Sequence, residues 1–501
     1  MTLSIVALSS RTATALIAPE GIRFWQTQPL AYSLTDETGA NVCSGEAETA
    51  VLHLTGLEPD SRYVLHAAGV QADFRTRSCG GQIDIRDYGA DPSLDDNAEL
   101  IQQAIAAVPQ DGTLRIPAGR YLSGPLFLKS SMTLHLDEGA ELAAIDSWLA
   151  WPVLPAHDET GRVIGTWEGL PEPSFAALVN AVGCNDLILA GRGTLDGGGD
   201  QGDWWAWPKE TRRGARRPRT VFLAHCRNIT LTGLTVRNSP SWTIHPYCCH
   251  GVHAAALHIC NPPDSPNTDG FNPESCEHVR LTGLHFSVGD DCIAIKAGKR
   301  DGTRTAHLAP SRDISVEHCL MERGHGAVVL GSEMSGGIFD VSVSNCDFVG
   351  TDRGLRIKTR RGRGGKVAGI SMSNVVMDRV ATAVSANAHY FCDADGTSDF
   401  VQSRLPMPVN DGTPAIGDIR VSNVIAGNVQ LAAVALLGLP EAPITGVSID
   451  NMIVSFDPDA QPGVPLMASD VAPCRHEMLL CERAEVTGLV TVTSEDIRHA
   501  S

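Results

Sequence analysis

Aromatic residues are scarce, at 5% of a 501-residue chain, and basic residues are outnumbered, 39 Lys and Arg against 58 Asp and Glu. The resulting net charge of −19 argues against a sequence-blind nucleic-acid binder, which needs surplus cations facing phosphate. No apolar run approaches the ~18–20 residues that span a bilayer, so no membrane partner is expected. No CxxC pair and no Cys/His quartet at zinc spacing occurs, and neither a metal nor a cofactor is predicted. No basic residue precedes Arg11 and the apolar stretch before it is short, so an export signal is missing. A cytoplasmic location is the expectation, with the periplasm or secretion as the alternative.

What is present is globular: 43% of residues are hydrophobic and 19% charged, which excludes wholesale disorder, collagen and coiled coil. The length suggests two or three domains. Fourteen cysteines are spread from Cys43 to Cys481, as expected for buried thiols acting as small hydrophobes in a reducing compartment.

Residues 1–80 hold short strand-like runs at Thr14–Ile17, Leu30–Leu34, Ala50–Leu54 and Tyr63–Ala67. The run from Leu54 to Tyr63 resembles the turn before the tyrosine corner of fibronectin type III domains. A small β-sandwich over 1–80 follows, joined by Arg75–Gly81 to a second domain over 81–501. That domain opens with one helix: apolar residues at 100, 101, 104 and 105 share a face behind an Asp/Asn cluster at 95–97.

Beyond it the chain repeats. Similar short strands centre on Ile229, Val252, Val279, Ile314, Val341 and Ile370, with further units at Leu187, Ile419 and Val447. Strand repeats of this length predict a solenoid of stacked coils, with unequal steps marking inserted loops. Cys226, Cys249 and Cys276 each stand three positions before a centre and should stack into a ladder. The helix near residue 100 would cap the open end.

Four motifs fall in consecutive coils: Asn267-Thr-Asp269-Gly, Gly-Asp290-Asp291-Cys, Gly-His325-Gly and Arg356-Ile-Lys358. Asp269 lies about one coil before Asp290 and Asp291, so three carboxylates should cluster, since neighbouring strands are ~4.8 Å apart. Arg356 and Lys358 alternate with Leu355 and Ile357, which puts the apolar pair inward and both cations outward. Close carboxylates cannot all ionise cheaply, and a retained proton beside ionised partners suits general acid and base work on a glycosidic bond.

In order and spacing these motifs resemble glycoside hydrolase family 28, the polygalacturonases. The resemblance implies an all-β, right-handed parallel β-helix and inverting hydrolysis of α-1,4-linked galacturonan. It implies Asp290 as general acid, Asp269 and Asp291 as the pair that activates water, and His325 as support for the acid. Arg356 and Lys358 would grip the galacturonate carboxylate, with Asn267 beside the first Asp and Tyr390 as a further substrate contact. The N-terminal sandwich and the stretches Trp242–Pro246 and Asn272–Cys276 resemble bacterial exo-acting members. Endo action, or a rhamnogalacturonan or xylogalacturonan substrate, is the alternative within the family.

Arg212–Arg219 reads as a cationic loop near the sugar groove, and Arg360, Arg361, Arg363 and Lys366 as a solvated edge or an extension of the anionic path. Trp204, Trp205 and Trp207 are either core or a sugar-stacking platform, with Trp204 taken as a substrate contact. A calcium-dependent pectate lyase and a non-catalytic carbohydrate-binding β-helix are the rivals from other classes. Oligomeric state is not encoded in any of these patterns.

Overall fold

A computed structural model describes residues 2–493. Seven N-terminal strands come first: β1 (Thr2–Leu8), β2 (Ala13–Ala18), β3 (Trp25–Asp36), β4 (Asn41–Thr49), β5 (Val51–Leu54), β6 (Arg62–Ala67) and β7 (Val70–Arg75). They form two antiparallel sheets, β1-β2-β5 and β4-β3-β6-β7, closed over Ile17, Leu34, Leu57 and Leu65. The Tyr63 hydroxyl accepts from the Glu58 backbone N–H at 2.9 Å, the tie-back of a tyrosine corner.

The antiparallel strands end at Arg75, and the first parallel one, Gln82–Asp84, pairs with Gly112–Ile116. From there the chain coils as a right-handed parallel β-helix. Two parallel stacks merge in the long strands Lys366–Asp378, Ala415–Val429 and Ile444–Phe456, while a third wall runs from Leu126–Phe127 to Glu477–Glu482. The expected strand centres are in register: Leu187, Ile229, Val252, Val279, Ile314, Val341, Ile370, Ile419 and Val447 each face the next. All are buried.

The residue before each centre explains why the repeat tolerates so little at that point. Asp186, Asn228, Gly251, His278, Asp313, Asp340, Gly369, Asp418 and Gly446 all adopt positive φ, between 50° and 74°. One left-handed residue per coil bends the strand, and Asn, Asp and Gly bear that conformation at least cost. The cysteine ladder also forms: the Cys226 and Cys249 N–H groups each lie 3.4 Å from the next thiol sulfur, at Cys249 and Cys276.

Helix α1 (Ala98–Ala107) buries Ile101, Ala104 and Ile105 over the first coils and caps their open end. Its N-terminus is held by Asp96, which accepts from Ala98 N–H at 2.8 Å, whereas Asn97 turns back to Asp91 N–H. The sandwich lies along the coils: Thr14 meets Thr232 at 2.6 Å, Arg23 pairs with Asp347 at 2.7 Å, and Leu16, Ile22 and Val51 pack with Ala256. Among the described residues no helix is long and apolar enough to cross a membrane.

Candidate active site

The third wall is interrupted between Ile244–Tyr247 and Ile293–Ile295, where only single bridges at Phe271 and Glu274 carry it. Phe271 faces Ile293, so Asp269 falls opposite Asp291, and Gly270 N–H donates to Asp291 O at 2.9 Å. The carboxylate trio therefore collects at a break in the sheet, where side chains project into a cleft. That cleft is lined by Asp269, Asp290, Asp291, Lys296, Lys358 and Tyr390, with Asn267, Trp242, Glu168, Lys209 and Glu333 around them.

Strand Arg353–Lys358 delivers its cations as the alternation requires: Leu355 and Ile357 enter the core, Lys358 lines the cleft, and Arg356 lies beside it against Asp291 and Tyr390. Lys358 Nζ donates to Asp291 Oδ2 at 2.7 Å and Arg356 Nη1 to Asp291 Oδ1 at 3.3 Å. The Tyr390 ring stands over both, 5.6 Å from the guanidinium carbon and 5.4 Å from the ammonium. His325 Nδ1 lies 3.2 Å from Asp290 Oδ1. Its flanking glycines are steric necessities: a Cβ on Gly324 would meet Asp290 O at 2.7 Å, and one on Gly326 would meet Val329 Cγ2 at 2.4 Å. Asn267 accepts from Arg217 at 2.6 Å.

The electrostatics separate the carboxyls. Burial, with the Asp290 charge added, raises Asp269 to about 7, while Asn272 donates to it at 2.8 Å. Burial alone would raise Asp290 too, but the His325 hydrogen bond and charge, with Lys358 and Lys296, outweigh it and hold this carboxyl low. His325 is raised in return to about 9, chiefly by the Asp290 hydrogen bond.

Two charged groups in the cleft, Lys296 and Glu333, escaped the sequence reading. Lys296, fully enclosed, donates to Glu333 at 2.9 Å, lies 3.7 Å from Asp269 and sits 4.5 Å from the Trp242 ring centre. The signal was there: Ile293-Ala-Ile-Lys296 alternates as Leu-Arg-Ile-Lys358 does, and Gly331 stands between the two lysines in register. Glu333 is pulled down against its burial by Lys296 and Arg363.

Other expectations fail on packing. Trp204 is no sugar platform: it is 1% exposed, wedged among Trp151, Phe175 and Trp207. It lies in a 3₁₀ turn, Trp204–Ala206, where strand alternation does not apply. The Arg212–Arg219 segment is not a free cationic loop either. Arg217 and Arg219 are buried and spend their donors on Pro240, Pro266 and Thr166 carbonyls, and Arg216 pairs with Glu172 at 2.6 Å. Arg360, Arg361 and Arg363 are likewise buried and paired, to Asp393 and Asp395, Glu441, and Asp393 respectively, so they are neither a solvated edge nor open to an anionic chain.

Residues 113–461 match the family model described as glycosyl hydrolases family 28. The chain belongs to glycosyl hydrolase family 28. It is a glycosidase, which removes the lyase and the non-catalytic β-helix. A probable polygalacturonase of Vitis vinifera is 32% identical over 382 residues, 75% of this chain and 74% of that one. An endo-polygalacturonase of Pectobacterium parmentieri is 31% identical over 302 residues, 58% of this chain and 71% of that one. The solved family 28 exopolygalacturonase of Yersinia enterocolitica superposes with a TM-score of 0.70 at 20% identity, over 99% of both chains. At that identity the likeness is one of fold, and it runs through the N-terminal sandwich.

Proposed function

We propose that this family 28 chain hydrolyses α-1,4-galacturonosidic bonds of polygalacturonate and its oligomers with inversion, releasing units from a chain end. The observation that carries the reading is the pairing of a carboxylate trio with two buried cations in one cleft. Asp269, Asp290 and Asp291 supply acid and base groups, and Arg356 and Lys358, capped by Tyr390, supply a seat for an anionic sugar.

Asp290 is the general acid. It is the trio member open to the cleft, with 22% of its side chain exposed against 4% for Asp269 and 1% for Asp291. The proton it passes to the leaving oxygen is held by the Asp290–His325 pair. Asp269 and Asp291 orient and deprotonate the attacking water across the bond. A galacturonate carboxylate arriving at Lys358 and Arg356 draws off the positive field that holds Asp290 low, raising its proton affinity when it must act as an acid. Asn267, itself fixed by Arg217, contacts the sugar beside Asp269.

Exo action is supported by the loops that wall the cleft. Lys209 pairs with Glu168, Lys299 N–H donates to Gly169 O at 2.9 Å, and Lys299 Nζ binds Asp393 at 2.7 Å, tying separate insertions together beside the cleft. The product profile from polygalacturonate is the test. Monomer or dimer alone is expected, a ladder of oligomers would make the enzyme endo-acting, and an unchanged turnover in Asp290→Asn would remove Asp290 from the chemistry. Fourteen unpaired thiols support a reducing, cytoplasmic compartment for an enzyme finishing short galacturonan oligomers.

A further inference from the structure

Two histidines and a glutamate on the outer wall have no part in the chemistry above. His250 opens strand His250–Ala255, and Glu277 and His278 open the next, Glu277–Thr282, with His250 in register opposite Glu277. One ligand atom from each of the three lies within 4.8 Å of the others, and among the described residues this is the one group of three such side chains that does so.

The local backbone explains how neighbours in sequence come to share a face. His278 occupies the left-handed position of its coil, φ 58°, which interrupts strand alternation between Glu277 and the buried Val279. Glu277 and His278 both stay at the surface, and His250 joins them from the coil below, its ring centre 4.7 Å from that of His278. His278 Nδ1 is engaged by Asp313 of the following coil, and Arg280 donates to both Asp313 oxygens at 2.8–2.9 Å. That leaves His278 Nε2 as the ring nitrogen available to a ligand, on an imidazole held by a carboxylate as metal-bound imidazoles are. His250 makes no side-chain hydrogen bond among the described residues and offers either nitrogen. Glu277 meets Arg312 at 3.5 Å, both about half exposed, a pair weak enough to yield to a dication.

We propose that His250, Glu277 and His278 bind a divalent transition ion of the zinc type, with Asp313 as the orienting partner of His278. Two imidazoles and a carboxylate with positions left for water suit zinc, cobalt or nickel and not calcium or magnesium, which want oxygen ligands. The ion ties two coils together outside the core and, through Asp313, engages a third. Its role is a staple: it stabilises the folded chain in proportion to its free concentration.

The probe is Zn²⁺ titrated into the full-length, metal-stripped protein, followed by calorimetry and melting temperature, with Co²⁺ absorption as a second readout. Saturable one-to-one binding with a rise in Tm is expected. His250→Ala and His278→Ala should each abolish it, and His253→Ala, on the same strand, should leave it intact. Asp313→Asn should weaken binding by roughly 10–100-fold while the apo protein still melts cooperatively. No binding, non-saturable uptake, or binding unaffected by His250→Ala and His278→Ala would overturn the site. So would loss of binding on replacing His258 or His285 instead.

Discussion

Asp269 is the clearest place to test whether this cleft trades stability for reactivity. The residue is buried and its pKa is raised from 3.8 to about 7, first by burial and then by the Asp290 charge. In the unfolded chain the same group titrates near 3.9. The sign follows: the folded form binds the proton more tightly, so the group costs nothing below about pH 4. Its penalty then grows as pH rises and is complete above about 7. At 1.36 kcal/mol per tenfold change in affinity, the gap corresponds to about 4 kcal/mol at full ionisation, an upper figure because side chains and water relax around a new charge. Asp269→Asn keeps the shape and the contact with Asn272 and removes the titration. The variant should therefore lose activity yet be more stable than the parent at about pH 8, by up to ~4 kcal/mol, with no gain at about pH 4. Urea unfolding of both proteins at the two pH values measures this directly. Equal stability at pH 8, or a gain of the same size at both, would refute the burial argument.

The other predictions concern charge, proton and packing. Lys358→Gln should raise KM for polygalacturonate by roughly 10–100-fold, since hydrogen bonds to charged groups contribute about 1.5–3 kcal/mol, and added salt should raise the parent's KM. A salt-insensitive KM would count against anion capture by Arg356 and Lys358. His325 is raised to about 9, so the parent should keep its protonated pair below that pH and lose rate as pH rises through it. His325→Ala should cut kcat by at least ~100-fold and erase the limb near 9, and an unmoved limb assigns it elsewhere. Trp204→Ala should cost about 3–5 kcal/mol of stability, as large core truncations do, with KM unchanged. A raised KM at unchanged stability would restore the sugar-stacking reading.

The strand repeat dictated the coil and which carboxylates meet in the cleft. A strand repeat must stack, because each unit buries its apolar face only against its neighbours, and register then follows from the inward residues, from Leu187 to Val447. Once register is known, Asp269 has to meet Asp290 and Asp291, and Arg356 and Lys358 have to point out together. What pattern could not supply was the fate of residues in the insertions. Trp204, Arg217 and Arg361 look like ligand-seeking groups along the string, yet each is buried against side chains or carbonyls far away in sequence. Lys296 shows the reverse: its alternation was legible, but its value depends on Glu333 and Trp242, brought to it by other coils. The net charge of −19 belongs to the same division. Summed over the chain it opposes a polyanionic substrate, but the balance that matters is struck among a few buried groups at a break in one wall. Low dielectric and fixed geometry there make two cations and one shared proton count for more than the surface total.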